Sequence, residues 1–169
     1  MDLKVSLLSK SHDRSFFDCG KELLNGYLKK QASQDVKKKL SVCFVLHDAF
    51  NKVLAYYTLS SSSIPQKDIP NNYAKKLPNS YSAIPVTLLG RLAVDQTVFG
   101  KGHGEYLLLH ALLECYKVSK NSIGSLAVVV DPIDASAVYF YEKYGFILLP
   151  ASGKMFLPMN TIAQLFPNV

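Results

Sequence analysis

Apolar residues recur along the chain with two different spacings, which predict alternating strands and helices. Short runs rich in β-branched and aromatic residues predict strands, whereas apolar residues three or four positions apart predict helices. Strands are expected at residues 3–8, 41–47, 53–60, 86–94, 126–130, 146–149 and 155–157, and helices after a capping Asp18, around residues 37–39, and at 102–118 and 134–143. This order predicts a mixed α/β fold.

Three of these segments have a more specific interpretation. The strands at 41–47 and 53–60 are separated by a short loop and should form an antiparallel hairpin. The strand at 86–94 is almost continuously apolar, which predicts that both of its faces are covered. Gly90 within it suggests a bulge. Residues 62–85 should form a long connection punctuated by prolines.

Size and composition predict one compact domain over residues 1–169. With 49% apolar residues the chain can bury a substantial core, and no repeat or linker interrupts the pattern. Its 3 cysteines and 4 histidines lack the spacing of a zinc site, so no metal is expected. The cysteine usage favours a reduced, cytoplasmic setting. No apolar run reaches membrane-spanning length, and neither export nor a membrane span is expected.

The net charge of +6 is unevenly distributed. Residues 1–100 contain 14 Lys and Arg against 8 Asp and Glu, whereas residues 101–169 contain 5 of each class. This asymmetry suggests an anionic partner. The alternative is that the lysines only keep helix faces solvated.

A glycine-rich turn lies between the buried strand and the helix at 102–118. It places Gly100, Gly102 and Gly104 where the backbone can approach a ligand and present its N–H groups. Because the turn opens a helix, it favours a bound phosphate or pyrophosphate. The spacing fits neither the GxxxxGK[ST] nor the GxGxxG phosphate loop, which argues against a kinase or a dinucleotide-binding enzyme. A purely structural turn is the alternative.

The order of motifs resembles the GNAT superfamily of N-acetyltransferases, and more narrowly its toxin branch from type II toxin-antitoxin pairs. The resemblance covers nearly the whole chain. It is carried by PhePheAspCysGly at 16–20, LeuLeuAsnGlyTyrLeu at 23–28, AlaTyrTyrThrLeuSer at 55–60, LeuLeuGlyArgLeuAlaValAsp at 88–95, the glycine turn, and AlaValTyrPheTyrGluLysTyrGlyPhe at 137–146.

The resemblance implies the GNAT fold, which is α/β (α+β) with a central mixed, mostly antiparallel sheet flanked by helices. It also implies acetyl-CoA as co-substrate, with the pantetheine arm along the central strand and the pyrophosphate on the amides of the glycine turn. The implied cofactor-binding residues are Leu92, Ala93, Val94, Phe99, Gly100, Lys101, Gly102, His103, Gly104, Glu105, Ala137 and Phe140. Phe99 departs from the family pattern, which has Gln or Arg there, and should weaken the site modestly.

Tyr141 matches the family tyrosine that protonates the departing thiolate of coenzyme A. A tyrosine hydroxyl is neutral at pH 7 and can donate to developing negative charge. Four aromatic residues fall at 139, 140, 141 and 144, so simple packing is the alternative.

The toxin resemblance implies that the acceptor is the α-amino group of aminoacyl-tRNA, whose acetylation blocks translation. No carboxylate or histidine is recognisable as a general base, which suits an α-amine because it titrates far below a lysine side chain. The candidates for phosphate contacts are Lys29, Lys30, Lys37, Lys38, Lys39 and Arg91. The lysine run at 37–39 could instead be a solvated helix face, and Arg91 could pair with an acid.

The same resemblance implies a cognate ribbon-helix-helix antitoxin, contact with DNA only through the antitoxin complex, and a homodimer as an open alternative. Two other functions remain open from the sequence. The protein could acetylate a small amine or a protein N-terminus. It could also be a non-catalytic coenzyme-binding module or part of a repressor complex, although retention of Tyr141 argues against this.

Overall fold

A computed structural model of the protein describes residues 2–169 and contains a seven-stranded sheet with flanking helices. The strand order is β1-β2-β3-β4-β5-β7-β6. The strands are β1 (Lys4–Leu7), β2 (Val42–His47), β3 (Val53–Pro65), β4 (Ala83–Val94), β5 (Ala127–Val130), β6 (Ile147–Leu148) and β7 (Met155–Pro158). The α-helices are α1 (Glu22–Gly26), α2 (Ala32–Lys37), α3 (Asn71–Ala74), α4 (His103–Asn121), α5 (Ala135–Lys143) and α6 (Met159–Ala163).

The sheet is mixed and mostly antiparallel. Antiparallel pairing joins β1 to β2, β2 to β3, β5 to β7 and β6 to β7, whereas β4 and β5 run parallel. This confirms the predicted fold class and the predicted hairpin between β2 and β3.

The chain forms two compact units. The amino-terminal unit comprises the described residues up to Ser60 together with Gly90–Ala111, and the carboxy-terminal unit comprises Ser61–Leu89 and Leu112–Val169. That the chain behaves as one domain stays a prediction.

In the amino-terminal unit, a helical segment covers the apolar core of the first strands. Leu24, Tyr27 and Leu28 are buried in a cluster with strand residues that include Val45 and Tyr56. Leu23, the neighbouring apolar residue on α1, is instead 74% exposed. Between α1 and α2 the chain passes through a π-helical turn, Tyr27–Gln31, which the apolar spacing did not predict.

Asp18 does not cap α1, so that prediction is wrong. The N-cap is Lys21, which makes no side-chain capping hydrogen bond. One carboxylate oxygen of Asp18 accepts hydrogen bonds from the Gly20 N–H at 2.8 Å and from the Asn25 Nδ2 at 2.9 Å. The carboxylate therefore binds the loop before the helix and a side chain on it.

In the carboxy-terminal unit, β5 is buried along its whole length and pairs with β4 through Thr87–Leu89 and with β7 on its other side. Asp134 caps α5 by accepting a 2.8 Å hydrogen bond from the Ala137 N–H, so the helix predicted at 134–143 begins with its cap. The predicted connection at 62–85 is shorter than expected, because β3 continues to Pro65 and α3 follows a 3-10 turn at Gln66–Asp68.

Candidate acetyl-coenzyme A and RNA site

The glycine turn leaves its backbone open at the start of α4. Gly100 and Gly102 have φ values of 74° and 80°, in the left-handed region that favours glycine. A Cβ added at either position would meet no heavy atom within 4 Å. The Tyr106 N–H donates to the Gly102 carbonyl at 3.0 Å and closes the first helical turn, so the three intervening N–H groups have no partner within the helix. Such an arrangement can hold a phosphate.

The strand and turn residues predicted to bind the cofactor run from the end of β4 to the first turn of α4. Leu92 and Val94 at the end of β4 are half-buried, and Ala93 between them is buried. Phe99 is 56% exposed. The remaining turn residues are half-buried or exposed: Gly100, Lys101, Gly102, His103, Gly104 and Glu105. All of these residues belong to the amino-terminal unit.

Gly90 is explained by a close approach. A Cβ at this position would come within 3.0 Å of the Thr58 Oγ1, which is tighter than ordinary van der Waals contact. Space for the neighbouring strand's side chain therefore accounts for this glycine in a way that the sequence pattern could not predict.

The ring of Tyr141 is buried on α5, in the carboxy-terminal unit. It packs edge-on against Phe140 and Phe146, each at a centroid distance of 5.2 Å. Burial raises the pKa of the Tyr141 hydroxyl above its ordinary value. Among residues 2–169 no group hydrogen bonds to this hydroxyl, so it can donate to a ligand. Ala137, also predicted to bind the cofactor, uses its N–H in the cap of the same helix.

The predicted RNA-binding lysines lie on the helical segment of the amino-terminal unit. Lys29 and Lys30 are exposed on the π-helical turn. Lys37 ends α2, and Lys38 and Lys39 follow it, all three exposed. Positive charge at a helix C-terminus is favourable, so this run also has a structural reason to be there.

Arg91 does not pair with an acid. Its guanidinium carbon lies 3.5 Å from the ring centre of Tyr27, and Arg91 makes no ion pair or hydrogen bond within residues 2–169. This contact could not be predicted from local sequence patterns, because the two residues are far apart along the chain.

A buried polar network connects the loop at 16–20 to the segment after β4, and sequence reasoning missed it. Asp95 is 3% exposed. One of its carboxylate oxygens accepts from the Asp18 N–H at 2.9 Å, and the other accepts from the Thr97 N–H and hydroxyl. The Gln96 N–H donates to the Asp18 carbonyl at 2.9 Å. The network fixes the chain immediately before the glycine turn.

Other classes of site are not evident in the part of the chain that the structure describes. No three His, Cys, Asp or Glu side chains within residues 2–169 come together to hold a metal. Across the same residues, no helix combines the length and the apolar character that a bilayer crossing requires. Cys19, Cys43 and Cys115 are free and buried.

Two curated proteins resemble this chain over most of its length, whereas no family model matches it. The first, from Mycobacterium tuberculosis (strain ATCC 25618 / H37Rv), is a tRNA-acetylating toxin that is 33% identical over 85% of this chain and 83% of its own length. The second, from Sinorhizobium fredii (strain NBRC 101917 / NGR234), is the probable toxin TacT, which is 30% identical over 91% of this chain and 89% of its own.

Solved structures of two further toxins share the fold. A tyrosine-to-phenylalanine mutant of KacT has a TM-score of 0.91 and 33% identity, covering 98% of this chain and 100% of that one. AtaT complexed with acetyl-methionyl-tRNA has a TM-score of 0.90 and 31% identity over 98% of this chain and 99% of its own.

Complexes of the same toxins contain other ligands. A mutant of AtaT bound to the C-terminus of the antitoxin AtaR and to acetyl-CoA has a TM-score of 0.83 and 28% identity, covering 99% of this chain and 100% of that one. The KacTA-DNA complex has a TM-score of 0.82 and 30% identity over 99% of this chain and 100% of that one. Sequence identity and fold agree, and the chain therefore belongs to the tRNA-acetylating toxins of the GNAT superfamily.

Proposed function

We propose that this protein transfers the acetyl group of acetyl-CoA to the α-amino group of an aminoacyl-tRNA and thereby inhibits translation as a toxin. The observation that carries the proposal is the similarity, over nearly the whole chain, to AtaT, whose complex contains acetyl-methionyl-tRNA. The basic excess of residues 1–100 supports a polyanionic substrate.

The residues of the glycine turn fit acetyl-CoA. Gly100 and Gly102 leave open space beside the backbone, and the following N–H groups begin a 19-residue helix whose dipole favours anions. The pyrophosphate would lie on these amides, with Leu92 to Val94 offering backbone groups to the pantetheine arm. Because these contacts come from the backbone, we expect Phe99 to cost little affinity.

Acetyl-CoA supplies an activated thioester carbonyl for attack by the amine. Tyr141 acts as the acid: its hydroxyl donates a hydrogen bond to the sulfur as the carbon–sulfur bond breaks, and its proton passes to the thiolate. Its raised pKa keeps it protonated at cellular pH. The proton that the attacking amine loses on forming the amide replaces the one that Tyr141 gives up, so the balance needs no other reactant.

No general base is required if the acceptor is an α-amine. The reference pKa of an α-amino group is about 8, and that of a lysine side chain is about 10.4. A useful fraction of an α-amine is therefore neutral at cellular pH, whereas a lysine acceptor would need help to lose its proton. This supports an aminoacyl ester over a protein lysine as the substrate.

We infer that the protein works in the cytoplasm with a cognate antitoxin. The AtaT complex with AtaR and the KacTA-DNA complex support an antitoxin partner and contact with DNA through it. We propose that the antitoxin is of the ribbon-helix-helix type and that the toxin can form a homodimer. Size-exclusion chromatography with light scattering would test the oligomeric state.

Incubation with labelled acetyl-CoA and total charged tRNA tests the activity. Label should appear on the aminoacyl group and be released with the amino acid by mild base. Deacylated tRNA, which lacks the α-amine, is the matched control and should stay unlabelled. Label on polyamines or peptides but on no charged tRNA would instead establish an acetyltransferase of small amines or protein N-termini. Coenzyme binding with no transfer would indicate a non-catalytic module.

A further inference from the structure

Arg91 carries an uncompensated charge in a partly enclosed position. The residue is half-buried, and none of its guanidinium N–H groups bonds to another residue in the described chain. Its guanidinium lies 3.5 Å above the centre of the Tyr27 ring. Stacking of this kind stabilises the cation through the face of the guanidinium, while the N–H donors point outward in its plane.

Tyr27 is held rigidly under the guanidinium. Its hydroxyl donates to the Asp35 Oδ2 at 2.8 Å and lies 3.3 Å from the Ser41 Oγ. The ring is only 6% exposed and stacks, at an interplanar angle of 15°, alongside Tyr56. Asp35 accepts a hydrogen bond from the Tyr27 hydroxyl and makes no ion pair with Arg91. The guanidinium is therefore available to an external anion.

The π-helical turn Tyr27–Gln31 explains how one short segment serves both core and surface. Its first two residues, Tyr27 and Leu28, are buried, whereas Lys29 and Lys30 directly after them are exposed. π-helical turns are frequent at functional sites. The turn that supplies the support for Arg91 therefore also presents two lysines to the solvent.

We propose that Tyr27 is a positioning residue for RNA binding: it holds the Arg91 guanidinium flat so that its N–H edge binds one phosphate of the tRNA. This inference rests on the proposed function. A planar guanidinium binds phosphate through two parallel hydrogen bonds, and a fixed plane loses less entropy on binding than a mobile one. Lys29 and Lys30 add point charges without this geometry.

The proposal predicts an effect on the tRNA affinity that is separate from chemistry. Tyr27→Leu should raise the KM for charged tRNA about tenfold, the size of one lost charge-assisted hydrogen bond, with kcat and the KM for acetyl-CoA changed less than about twofold. Arg91→Lys should raise the tRNA KM similarly, because it keeps the charge but loses the planar fork. The double variant Tyr27→Leu with Arg91→Lys should be no worse than either single variant, because both remove the same contact.

Tyr27→Phe is the control for folding. It keeps the ring under Arg91 and removes only the hydroxyl anchor, so its tRNA KM should stay within about threefold of wild type. If Tyr27→Leu fails to fold, Tyr27→Phe and Arg91→Lys still test the proposal. A merely structural tyrosine would lower the melting temperature in both variants without changing the tRNA KM of the folded enzyme, and that result would overturn the proposal. So would losses that simply add in the double variant, or a Tyr27→Phe as damaging as Arg91→Lys.

Binding of uncharged tRNA, followed by fluorescence anisotropy, separates this inference from the proposed function. If wild type acetylates no charged tRNA, the proposed function is wrong. Should it still bind tRNA with an affinity that Tyr27→Leu and Arg91→Lys reduce about tenfold and Tyr27→Phe does not, Tyr27 positions Arg91 for RNA all the same. Equal affinity of all four proteins would refute the positioning role.

Discussion

Tyr141 combines a buried ring with a hydroxyl that no other described residue binds. The ring is fixed by Phe140 and Phe146, so packing and chemistry are both served by the same side chain. The sequence left open whether this tyrosine only packs. The hydroxyl oxygen is not completely buried, since no fully buried side-chain oxygen or nitrogen among the described residues lacks a hydrogen-bond partner. An accessible, unpaired hydroxyl on a fixed ring is free to donate to a ligand, which favours a chemical role.

Tyr141→Phe should lower kcat about 10²-fold or more, since it removes the acid and keeps the ring. The affinity for acetyl-CoA and for tRNA should stay close to wild type. Single-turnover kinetics and calorimetry measure the two separately. Tyr139→Phe, on the same helix but 76% exposed, is a matched control that should keep full activity. A Tyr141→Phe variant with normal kcat would assign protonation to water or to another group.

His12 and His47 share the Ser6 hydroxyl in a defined series of hydrogen bonds. The Ser9 N–H donates to His12 Nδ1 at 3.0 Å, which leaves the proton of neutral His12 on Nε2, facing Ser6 Oγ. The Ser6 hydroxyl can then donate to His47 Nε2 at 2.8 Å, and His47 Nδ1 to the Asp48 carbonyl. A second proton on His12, at Nδ1, would face the Ser9 N–H and abolish that hydrogen bond.

The hydrogen bonds of His12 predict that the folded protein loses stability on mild acidification. Burial, then the charges of His47 and Arg14, lower the pKa of His12 below its ordinary 6.5 in the folded state. The unfolded chain then binds the proton more readily, so stability is complete above about pH 6.5 and falls as the pH drops towards the folded pKa. Urea denaturation from pH 8 to 5 should show this fall in wild type and a smaller one in His12→Asn. His103→Asn, outside the network, should follow wild type; the same slope in His12→Asn would exclude His12 as the cause.

At the scale of elements, the parts that could be predicted are those specified by local periodicity. The long helix α4 and the strands β2, β4 and β5 follow from apolar spacing within each segment. α6 was missed because five residues are too few for a helical period to emerge. The Asp18–Asp95 network and the Tyr27–Arg91 contact depend on chain segments that meet only after folding, so no local pattern could specify them. The segment at 16–20 is one of those that carry the family resemblance. Its hydrogen bonds with Asp95 and Gln96 show that it anchors the chain before the glycine turn.

The start of α4 should control the affinity for acetyl-CoA. Gly102→Asp and Gly104→Asp place a negative charge beside the proposed pyrophosphate site and should weaken binding roughly tenfold or more, as measured by calorimetry. Gly153→Asp is the matched control for Gly102→Asp, because Gly153 also has a positive φ (76°) and open space for a Cβ but lies outside the turn. Unchanged affinity in both turn variants would place the phosphates elsewhere.

At the scale of the whole molecule, the two units share the positive charge unequally. The amino-terminal unit contains 12 Lys and Arg against 8 Asp and Glu, and the carboxy-terminal unit contains 7 against 5. The predicted RNA-binding residues all belong to the former. An electrostatic surface of this kind gives affinity without sequence reading, so the choice among charged tRNAs would have to come from contacts near the amino acid.

Acetylation of charged tRNA should therefore fall steeply with salt concentration. Replacing Lys37, Lys38 and Lys39 with Gln should flatten the logarithmic salt slope by up to about three, one for each lost phosphate contact. The control removes as many exposed lysines from the other unit: Lys67→Gln, Lys75→Gln and Lys76→Gln. Equal flattening by the two triple variants would mean that only net charge matters, and rates insensitive to salt would refute an RNA substrate.

The burial of all three cysteines makes the protein suitable for selective fluorescent labelling. Burial raises the pKa of Cys43 and of Cys115 to about 12, and also raises that of Cys19. The native thiols should thus remain protonated and almost unreactive towards maleimides at pH 7, with less than one equivalent modified under conditions that label a surface thiol fully. A single cysteine placed at an exposed position, such as Phe50→Cys on the hairpin loop, would then accept a fluorophore selectively while the native sequence is otherwise kept.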